Sequence, residues 1–312
     1  MRLYLIRHAE TIHNLQALIQ ERCRAGTTNS ALTNHGVLQI ESLARHFVAQ
    51  SVNFSAVFAS DLCRARLTAE GICRLQAAQS SVTPVLTRDL RERDFGSLEG
   101  MSWNSSHALS GSASSSAAAA ATHTEFESHI SMTQRANSFL GDHLLPLLLD
   151  EQNPNHEQNV AIVAHGLILR VLWNRLAGLF DPREVHIAPG TALRHGGEMA
   201  VKPVWSNTGF MTVHIQRSMM TPGVATPALS SFDLHQPRRS GNNSVEDVTL
   251  PATLENAVPG SSVSEGALLQ GWGMTVVAVD SKTHLSGLHR TRGGIGSSAH
   301  DSRQKRIDQF FK

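Results

Sequence analysis

The stretch Leu3-Tyr4-Leu5-Ile6-Arg7-His8-Ala9-Glu10-Thr11 decides the fold of this chain. Its first half is apolar with aromatic and β-branched members, which predicts a buried strand that ends at an Arg-His pair. Ligands of open α/β sheets bind beyond the carboxyl ends of the strands, so a basic pair at that place is suited to a pocket. A strand followed by a solvated turn that happens to carry Arg7 and His8 is the simpler alternative, and the rest of the chain has to decide.

A second segment repeats this arrangement. Residues 160–164 are apolar throughout, as expected of a central strand covered on both faces. The segment ends at His165-Gly166, and a helix is predicted over residues 167–179. Two histidines at the same ends of neighbouring strands favour a shared site over a coincidence.

The bulk composition excludes several classes of protein. The 312 residues allow one large domain or two smaller ones, and the apolar fraction of 41% is sufficient for a core. A formal charge of +1 gives no reason to expect nucleic acid, a membrane or an acidic partner. No apolar run is long enough to span a bilayer, and Met1 opens directly onto a strand, so no signal peptide is expected. The cysteines 23, 63 and 73 lack metal-type spacing, which favours reduced thiols in a cytoplasmic or nuclear protein.

Helices and strands are predicted along the whole chain. A helix over 34–50 begins after Thr33 as N-cap, and its predicted buried side consists of Leu38, Ile40, Leu43, Ala44 and Phe47. Ser60-Asp61 is predicted to cap a helix that runs to about residue 79. The remaining predictions are a helix over 12–20, a long helix over 125–150 bent at Pro146, and strands at 56–59, 83–86, 207–215 and 272–280.

Three segments of biased composition interrupt these elements. The Ser/Ala-rich stretch at about 104–124 and the Ser-, Pro-, Asn- and Gly-rich stretch 216–268 are predicted to be disordered insertions. From residue 289 onward, Gly, Ser and Arg predict a flexible tail. The predicted organisation is therefore one domain over 1–288 with two insertions, followed by a tail over 289–312.

Six polar side chains stand out because they lie at strand ends, in loops or at helix starts. Two guanidiniums together with imidazoles suit a tetrahedral oxyanion such as phosphate, since the planar arginine fork makes paired hydrogen bonds to its oxygens. The helix that follows His165-Gly166 adds backbone N–H groups and a positive dipole end. No metal is needed, and close arginines would repel one. The six are Arg7, His8, Asn14, Arg64, Glu92 and His165.

These groups would suit phosphoryl transfer. A neutral imidazole can attack phosphorus and form a phosphohistidine. The leaving alkoxide needs a proton, which the carboxylic acid of Glu92 could supply before it acts as a base on water. Asp94 and Glu99 lie in the same loop, and either is an alternative for this role.

Five short patterns resemble those of the histidine phosphatase superfamily, whose fold is phosphoglycerate mutase-like. They occur in the family's order, spanning residues 1 to about 180, and this order makes the resemblance specific. They are Arg7-His8-Ala9-Glu10-Thr11 with Asn14; Leu32-Thr33 with Gly36 and Gln39; Ser60 to Ala65 with Thr68-Ala69; Leu90-Arg91-Glu92 with Gly96 and Glu99-Gly100; and Val163-Ala164-His165-Gly166.

The resemblance implies an α/β fold, a three-layer α/β/α sandwich with a mainly parallel central sheet. It also implies that His8 is the phosphorylated nucleophile and Glu92 the proton donor. The phosphoryl group would be bound by Arg7, Asn14, Arg64 and His165, with Gln20, Gly166 and Leu167 as further substrate-binding candidates and with no metal or cofactor.

The resemblance extends to the end of the domain. Asn207-Thr208-Gly209 and the later segment from Trp272 to Leu288 are similar to the closing strands of the fructose-2,6-bisphosphatase branch, TIGAR. The expected activity is hydrolysis of a small phosphorylated metabolite such as a sugar bisphosphate. A phosphoglycerate mutase is one alternative, and an interaction protein with a vestigial phosphatase site is another.

The last residues carry a separate pattern. Gln304, Ile307, Phe310 and Phe311 resemble the PIP box by which proteins dock on the sliding clamp PCNA. Ile307 and the two phenylalanines would act as apolar anchors, and the flanking basic residues would favour an acidic clamp surface. A chance match is the alternative, because short motifs have many false positives.

Overall fold

The described residues form one seven-stranded sheet. The structure is a computed structural model that describes residues 1–19, 26–76, 81–99, 126–150, 158–191, 203–218, 269–289 and 295–301. The strand order is β3-β2-β4-β1-β6-β7-β5. The strands are β1 (Arg2–Arg7), β2 (Ala56–Ser60), β3 (Val85–Thr87), β4 (Asn159–Ala164), β5 (Val185–Ile187), β6 (Phe210–Arg217) and β7 (Trp272–Ser281).

The sheet is mainly parallel, as the sequence predicts. Strands β3, β2, β4 and β1 pair in parallel, and so do β7 and β5. Within the described part of the chain, β6 is the strand that runs antiparallel to both of its neighbours. The register of β1 and β4 sets Arg7 opposite Ala164, so the histidines that follow these two residues lie side by side.

Helices cover both faces of the sheet. On β1, Leu3 and Leu5 pack into one apolar cluster and Tyr4 and Ile6 into another, because successive side chains of a strand point to opposite faces. The first cluster includes residues of α4 and α6, and the second includes residues of α2 and α3. The predicted α/β/α sandwich is therefore confirmed. The helices are α1 (Ile12–Ile19), α2 (Asn34–Ala49), α3 (Cys63–Gln76), α4 (His129–Phe139), α5 (Leu145–Leu148) and α6 (Gly166–Ala177).

Helix α2 begins as predicted but buries a narrower face. The Thr33 hydroxyl accepts a hydrogen bond from the Gly36 N–H at 2.8 Å, which confirms the N-cap. Leu38, predicted to be buried, is 42% exposed. At about 100° per residue, Leu38 is some 160° around the helix from Ile40, whose side chain does pack into the core.

The predicted cap at Ser60-Asp61 is wrong. The Ser60 hydroxyl accepts from the Leu62 N–H at 3.3 Å, one residue before α3 begins, and the first N–H of the helix, that of Cys63, donates to the Asn29 side chain at 3.2 Å. Asp61 does not cap the helix, because its carboxylate binds both sides of the Arg91 guanidinium, at 2.6 Å each. A charge-assisted, two-pronged pair is stronger than a single bond to a neutral N–H. This pair ties the start of α3 to the acidic loop that carries Glu92.

The predicted long helix is irregular just before Pro146. Helix α4 ends at Phe139 and is followed by a π-helical turn, Leu140–Leu144, and then by the short helix α5. Proline has no N–H for the carbonyl four residues earlier, and its ring would collide with that carbonyl. The wider π turn accommodates the proline without ending the helix.

The closing strands differ from their predicted bounds. Strand β6 begins at Phe210, three residues later than predicted, and it continues to Arg217. Residues 216 and 217, predicted to be disordered, are therefore part of a strand. The short strand β5 was not predicted, since three residues are too few to show a period. Residues 219–268, the whole of the first insertion, Gln20 and the tail residues Gln304, Ile307, Phe310 and Phe311 lie outside the described residues, so clamp binding stays a prediction from sequence.

Residues 295–301, here called the strap, pair with the start of α2. The Asn34 N–H donates to the Ser298 carbonyl at 3.1 Å, and the His300 N–H donates to the Leu32 carbonyl at 2.8 Å. The Asn34 side chain also bonds the Ser298 hydroxyl at 3.0 Å. The expectation of a flexible tail from residue 289 does not hold for the strap, because composition cannot report pairing with a distant segment.

No helix in the described ranges is both long and apolar enough to cross a bilayer.

Ending the chain at Leu288 is expected to lower the free energy of unfolding by roughly 1–3 kcal/mol, because the strap's hydrogen bonds to Leu32 and Asn34 are lost. Ending it at Asp301 keeps these bonds and should leave the stability of the full chain unchanged. Thermal unfolding of the two truncated proteins measures the difference. Equal midpoints would show that the strap contributes nothing.

Candidate active site

His8 lies directly after β1 with its ring fixed in one tautomer. The backbone N–H of His8 donates to the Ala164 carbonyl at 3.0 Å, and the ring Nδ1 lies 2.7 Å from the Ala9 carbonyl oxygen. A carbonyl only accepts, so Nδ1 carries the proton and Nε2 has the free lone pair. Burial, together with Arg64 and Arg7, holds the pKa of His8 well below its usual value. The ring is therefore a neutral imidazole with one nucleophilic nitrogen.

His165 follows β4 and faces His8, with the two ring centroids 5.0 Å apart. Its Nδ1 accepts a hydrogen bond from Nε of Arg64 at 3.1 Å, which leaves the proton on Nε2. Burial, Arg64 and His8 lower the pKa of His165 well below its usual value. Its Nε2 is buried and has no hydrogen-bond partner among the described residues, so its N–H can bind an anion.

Arg64 extends from α3 into the centre of the site and is almost fully buried. Two further N–H groups donate to the carbonyls of Gly26 and Thr28, at 2.7 Å and 2.9 Å. Burial lowers the pKa of Arg64 to about 10, so the guanidinium stays charged at neutral pH. Arg64 thus orients His165 and supplies positive charge to the site.

Glu99 fixes the loop whose carbonyls hold Arg64. Its carboxylate accepts from the N–H groups of Thr27 at 2.6 Å and Thr28 at 2.8 Å, and from both hydroxyls. Gly26 has a φ of +48°, and a Cβ at this position would overlap the Glu99 carboxylate. Glu99 is therefore occupied by this loop, which argues against its being the proton donor.

Arg7, the last residue of β1, is half-buried and lies near the carboxylates of Glu92 and Asp280. One terminal N–H donates to the Trp205 carbonyl at 2.8 Å, whereas Nε is buried without a partner among the described residues. Burial lowers the pKa of Arg7, and the charges of Glu92 and Asp280 oppose that shift. The unpartnered Nε is a second donor available to an anion.

The side chain of Glu92 contacts the first turn of α6. Its carboxylate oxygens accept from the N–H groups of Leu167 and Ile168, both at 3.2 Å. The positive end of the helix dipole favours a carboxylate at this place. Leu167, a predicted substrate-binding residue, donates its N–H to Glu92, whereas Asp94 bonds the Gly96 N–H at 2.7 Å on the exposed side of the loop. Of the three candidate carboxylates, Glu92 is the one whose oxygens bond the first turn of the helix that follows His165.

Asn14 is joined to His8 through Asn207. The Asn14 side-chain oxygen accepts from the Thr11 N–H and from Nδ2 of Asn207, both at 3.1 Å. Nδ2 of Asn207 also donates to the His8 carbonyl at 3.1 Å. With its oxygen occupied, Asn14 has its amide nitrogen as the group that can donate to a ligand.

The second family pattern holds the backbone that follows His8. The Thr33 hydroxyl donates to the Glu10 carboxylate at 2.7 Å, and the Gln39 side-chain oxygen accepts from the Glu10 N–H at 3.0 Å. A Cβ at Gly36 would overlap the Glu10 carbonyl oxygen. These three residues therefore position the loop that follows His8 and need not touch a ligand.

Sequence reasoning gave no role to four residues that complete the site. Thr68 accepts from the Ala9 N–H at 3.0 Å, and Asn207, Trp205 and Asp280 support His8 and Arg7 as described above. Thr68 and Asn207 lie within patterns that the sequence does show, so their positions could have been found. Nothing in the sequence marks Trp205 and Asp280, because each acts on Arg7 from a distant part of the chain.

Comparison with known proteins places this fold and site in a family. The sequence model described as histidine phosphatase superfamily (branch 1) matches residues 3–193. A Schizosaccharomyces pombe protein named "Probable phosphatase C1620.13" is 26% identical over 312 residues, which cover 98% of this chain and 78% of that protein.

Two further relatives match shorter parts of the chain. The metal-independent phosphoserine phosphatase of Arabidopsis thaliana is 28% identical over 176 residues, covering 55% of this chain and 67% of the plant protein. The fructose-2,6-bisphosphatase TIGAR of Xenopus tropicalis is 33% identical over 98 residues, covering 31% of this chain and 34% of that protein.

The chain belongs to the histidine phosphatase superfamily. Within that superfamily it is a phosphatase, which confirms the enzyme class that the sequence predicts.

Acidification is expected to destabilise the protein partly through His284, whose ring contacts the Thr208 hydroxyl at 3.0 Å. Burial lowers the pKa of His284 from 6.5 to about 4. Between these pH values the unfolded chain binds a proton that the folded chain does not, so stability falls as pH falls, by roughly 3 kcal/mol in full.

Urea unfolding of the wild type and of His284→Gln at several pH values between 4.5 and 7 isolates this contribution. The wild type should lose more stability on acidification than the variant, whatever their difference at pH 7. Parallel pH profiles would contradict the assignment.

Proposed function

We propose that this phosphatase hydrolyses phosphomonoesters without a metal, through a phosphohistidine at Nε2 of His8. The observation that carries the proposal is the 2.7 Å contact between Nδ1 of His8 and the Ala9 carbonyl, in a ring kept neutral by burial and two arginines. That contact leaves one nitrogen to attack phosphorus. It also gives the phosphorylated ring, which becomes positive, a hydrogen-bond acceptor for its remaining N–H.

The phosphoryl group is bound by donors that the protein leaves available. Nε of Arg7 and Nε2 of His165 are buried without hydrogen-bond partners among the described residues. The Asn14 side chain uses its oxygen as an acceptor for Asn207, and its amide nitrogen donates to none of the described residues. Arg64 adds a full positive charge that is held in place by two carbonyls. Arginine and imidazole donors match the charge and the tetrahedral shape of a phosphoryl dianion.

The reaction has two steps. Nε2 of His8 bonds to phosphorus while the bond to the ester oxygen breaks, and the Glu92 carboxylic acid gives its proton to the leaving oxygen. Water then attacks the phosphohistidine, Glu92 takes a proton from that water, and the nitrogen–phosphorus bond breaks to release phosphate.

A small phosphorylated metabolite such as a sugar bisphosphate is the proposed substrate class. The similarity to a protein named as a fructose-2,6-bisphosphatase supports it. The Arabidopsis relative is named for phosphoserine, so a substrate panel has to include amino-acid phosphates as well as sugar phosphates. Gln20, which lies outside the described residues, remains a proposed contact to the rest of the substrate.

Replacing His8 with Ala should abolish hydrolysis of p-nitrophenyl phosphate, because the nucleophilic nitrogen is removed; we expect a loss of at least about 10³-fold. EDTA should leave wild-type activity unchanged. His186→Ala, on the far edge strand β5, is the matched control and should retain full activity. Substantial activity in His8→Ala, or activity that requires metal, would overturn the mechanism.

An assay with a phosphoglycerate as the substrate separates hydrolysis from mutase chemistry. A hydrolase releases inorganic phosphate from each substrate molecule consumed, whereas a phosphoglycerate mutase returns the phosphoryl group to a phosphoglycerate. Phosphate release that matches substrate loss supports the hydrolase.

Glu92→Gln should impair substrates whose leaving group needs a proton far more than substrates whose leaving group does not. We expect kcat/KM for an alkyl phosphate to fall about 10²–10⁴-fold and that for p-nitrophenyl phosphate to fall much less. Asp94→Asn is the matched control, because this carboxylate bonds Gly96 on the exposed side of the loop. A larger selective loss in Asp94→Asn would transfer the acid role to Asp94.

A further inference from the structure

An ion pair between Arg135 and Glu127 lies outside the predicted site and contacts the loop that carries Glu92. Arg135 of α4 donates from Nε and from a terminal nitrogen to the two carboxylate oxygens of Glu127, both at 2.7 Å. Their side chains are 21% and 12% exposed, so the pair is largely shielded from water. Two parallel hydrogen bonds of this kind fix the orientation of both side chains.

The other side of the Arg135 guanidinium holds the backbone just before Glu92. Its second terminal nitrogen donates to the carbonyls of Asp89 at 2.7 Å and Arg91 at 3.0 Å. The guanidinium nitrogens of Arg135 therefore all donate to protein acceptors. Arg7 differs, because its Nε is buried without a partner among the described residues. Arg135 is for this reason not a candidate phosphate ligand.

Glu127 holds the backbone just after Glu92. Its N–H donates to the Asp94 carbonyl at 2.8 Å, and its carboxylate accepts from the Asp94 N–H at 3.3 Å. Nε of Arg93 donates to the Glu127 carbonyl at 2.7 Å. The ion pair thus clamps residues 89–91 on one side of Glu92 and residues 93–94 on the other.

Glu92 needs such support because residues 91–95 form neither helix nor strand. Its carboxylate reaches the start of α6 through bonds of 3.2 Å, which hold the side chain but not the loop. Misplacement of a reacting group by about 1 Å can cost roughly 10²-fold in rate.

We propose that the Glu127–Arg135 ion pair is a positioning device for the proton donor Glu92. This inference rests on the acid role of Glu92 in the proposed function. The pair gives its hydrogen bonds to the loop around Glu92, so its effect is expected in the proton given to the leaving group. The charge of Arg135 also lowers the pKa of His165, and Arg135→Lys keeps that charge.

The test compares Arg135→Lys and Glu127→Gln with the wild type. Each variant breaks the two-pronged pair while keeping a side chain of similar size. The readout is the ratio of kcat/KM for an alkyl phosphate to kcat/KM for p-nitrophenyl phosphate. This ratio does not depend on how much of a preparation is folded. The matched controls are Arg45→Lys and Glu41→Gln, an ion pair of 3.1 Å on the outside of α2.

The ratio should fall at least tenfold in both ion-pair variants and stay unchanged in the controls. The double variant Glu92→Gln/Arg135→Lys should show a ratio no lower than that of Glu92→Gln alone, because the pair acts through Glu92. Equal losses for the two substrates, or a further fall in the double variant, would overturn the inference.

Glu92→Gln alone distinguishes a failure of the positioning role of the ion pair from a failure of the acid role of Glu92. If it lowers the ratio and the ion-pair variants do not, the positioning role is wrong and the acid role stands. If it leaves the ratio unchanged, the acid role is wrong and the positioning role fails with it.

Discussion

The parallel pairing of β1 with β4 is the constraint on which the site depends. Its register sets Arg7 opposite Ala164, so that His8 and His165 emerge side by side with their rings 5.0 Å apart. A slip of one residue would turn every side chain of a strand to the other face. Both strands are apolar and buried on both faces, so such a slip would place the wrong residues in each core layer. The packing of the sheet thereby fixes the geometry of the two histidines.

The electrostatics of the site follow from that geometry. Arg7 and Arg64 lie close enough that each helps to lower the pKa of His8, and Arg7 also lowers the pKa of Arg64. The same two cations therefore help to keep the His8 imidazole neutral. Glu92 is the carboxylate whose charge opposes the shifts of both arginines. An anionic ligand would relieve the repulsion between the buried cations.

The sequence predicts those parts of the structure that depend on local patterns. Strands β1 and β4 show as apolar runs, and the cap of α2 shows as Thr33 before a helical period. What the sequence does not show are contacts between distant segments. Asp61 pairs with Arg91 instead of capping α3, the strap joins Asn34 across more than 260 residues, and Glu127 approaches the loop of Glu92 after a long insertion. A charged side chain shows its chemistry in the sequence, but its partner is set by the fold.

The identity of the phosphorylated atom tests the central claim most directly. Nδ1 of His8 is held by the Ala9 carbonyl, so the account assigns the phosphoryl group to Nε2. The measurement is NMR of the trapped phosphoenzyme, with ³¹P and ¹⁵N-labelled histidine to identify the bonded nitrogen. We expect a single phosphohistidine, at His8, bonded through Nε2. A phosphoryl group on Nδ1, on His165 or on any other side chain would disprove this mechanism.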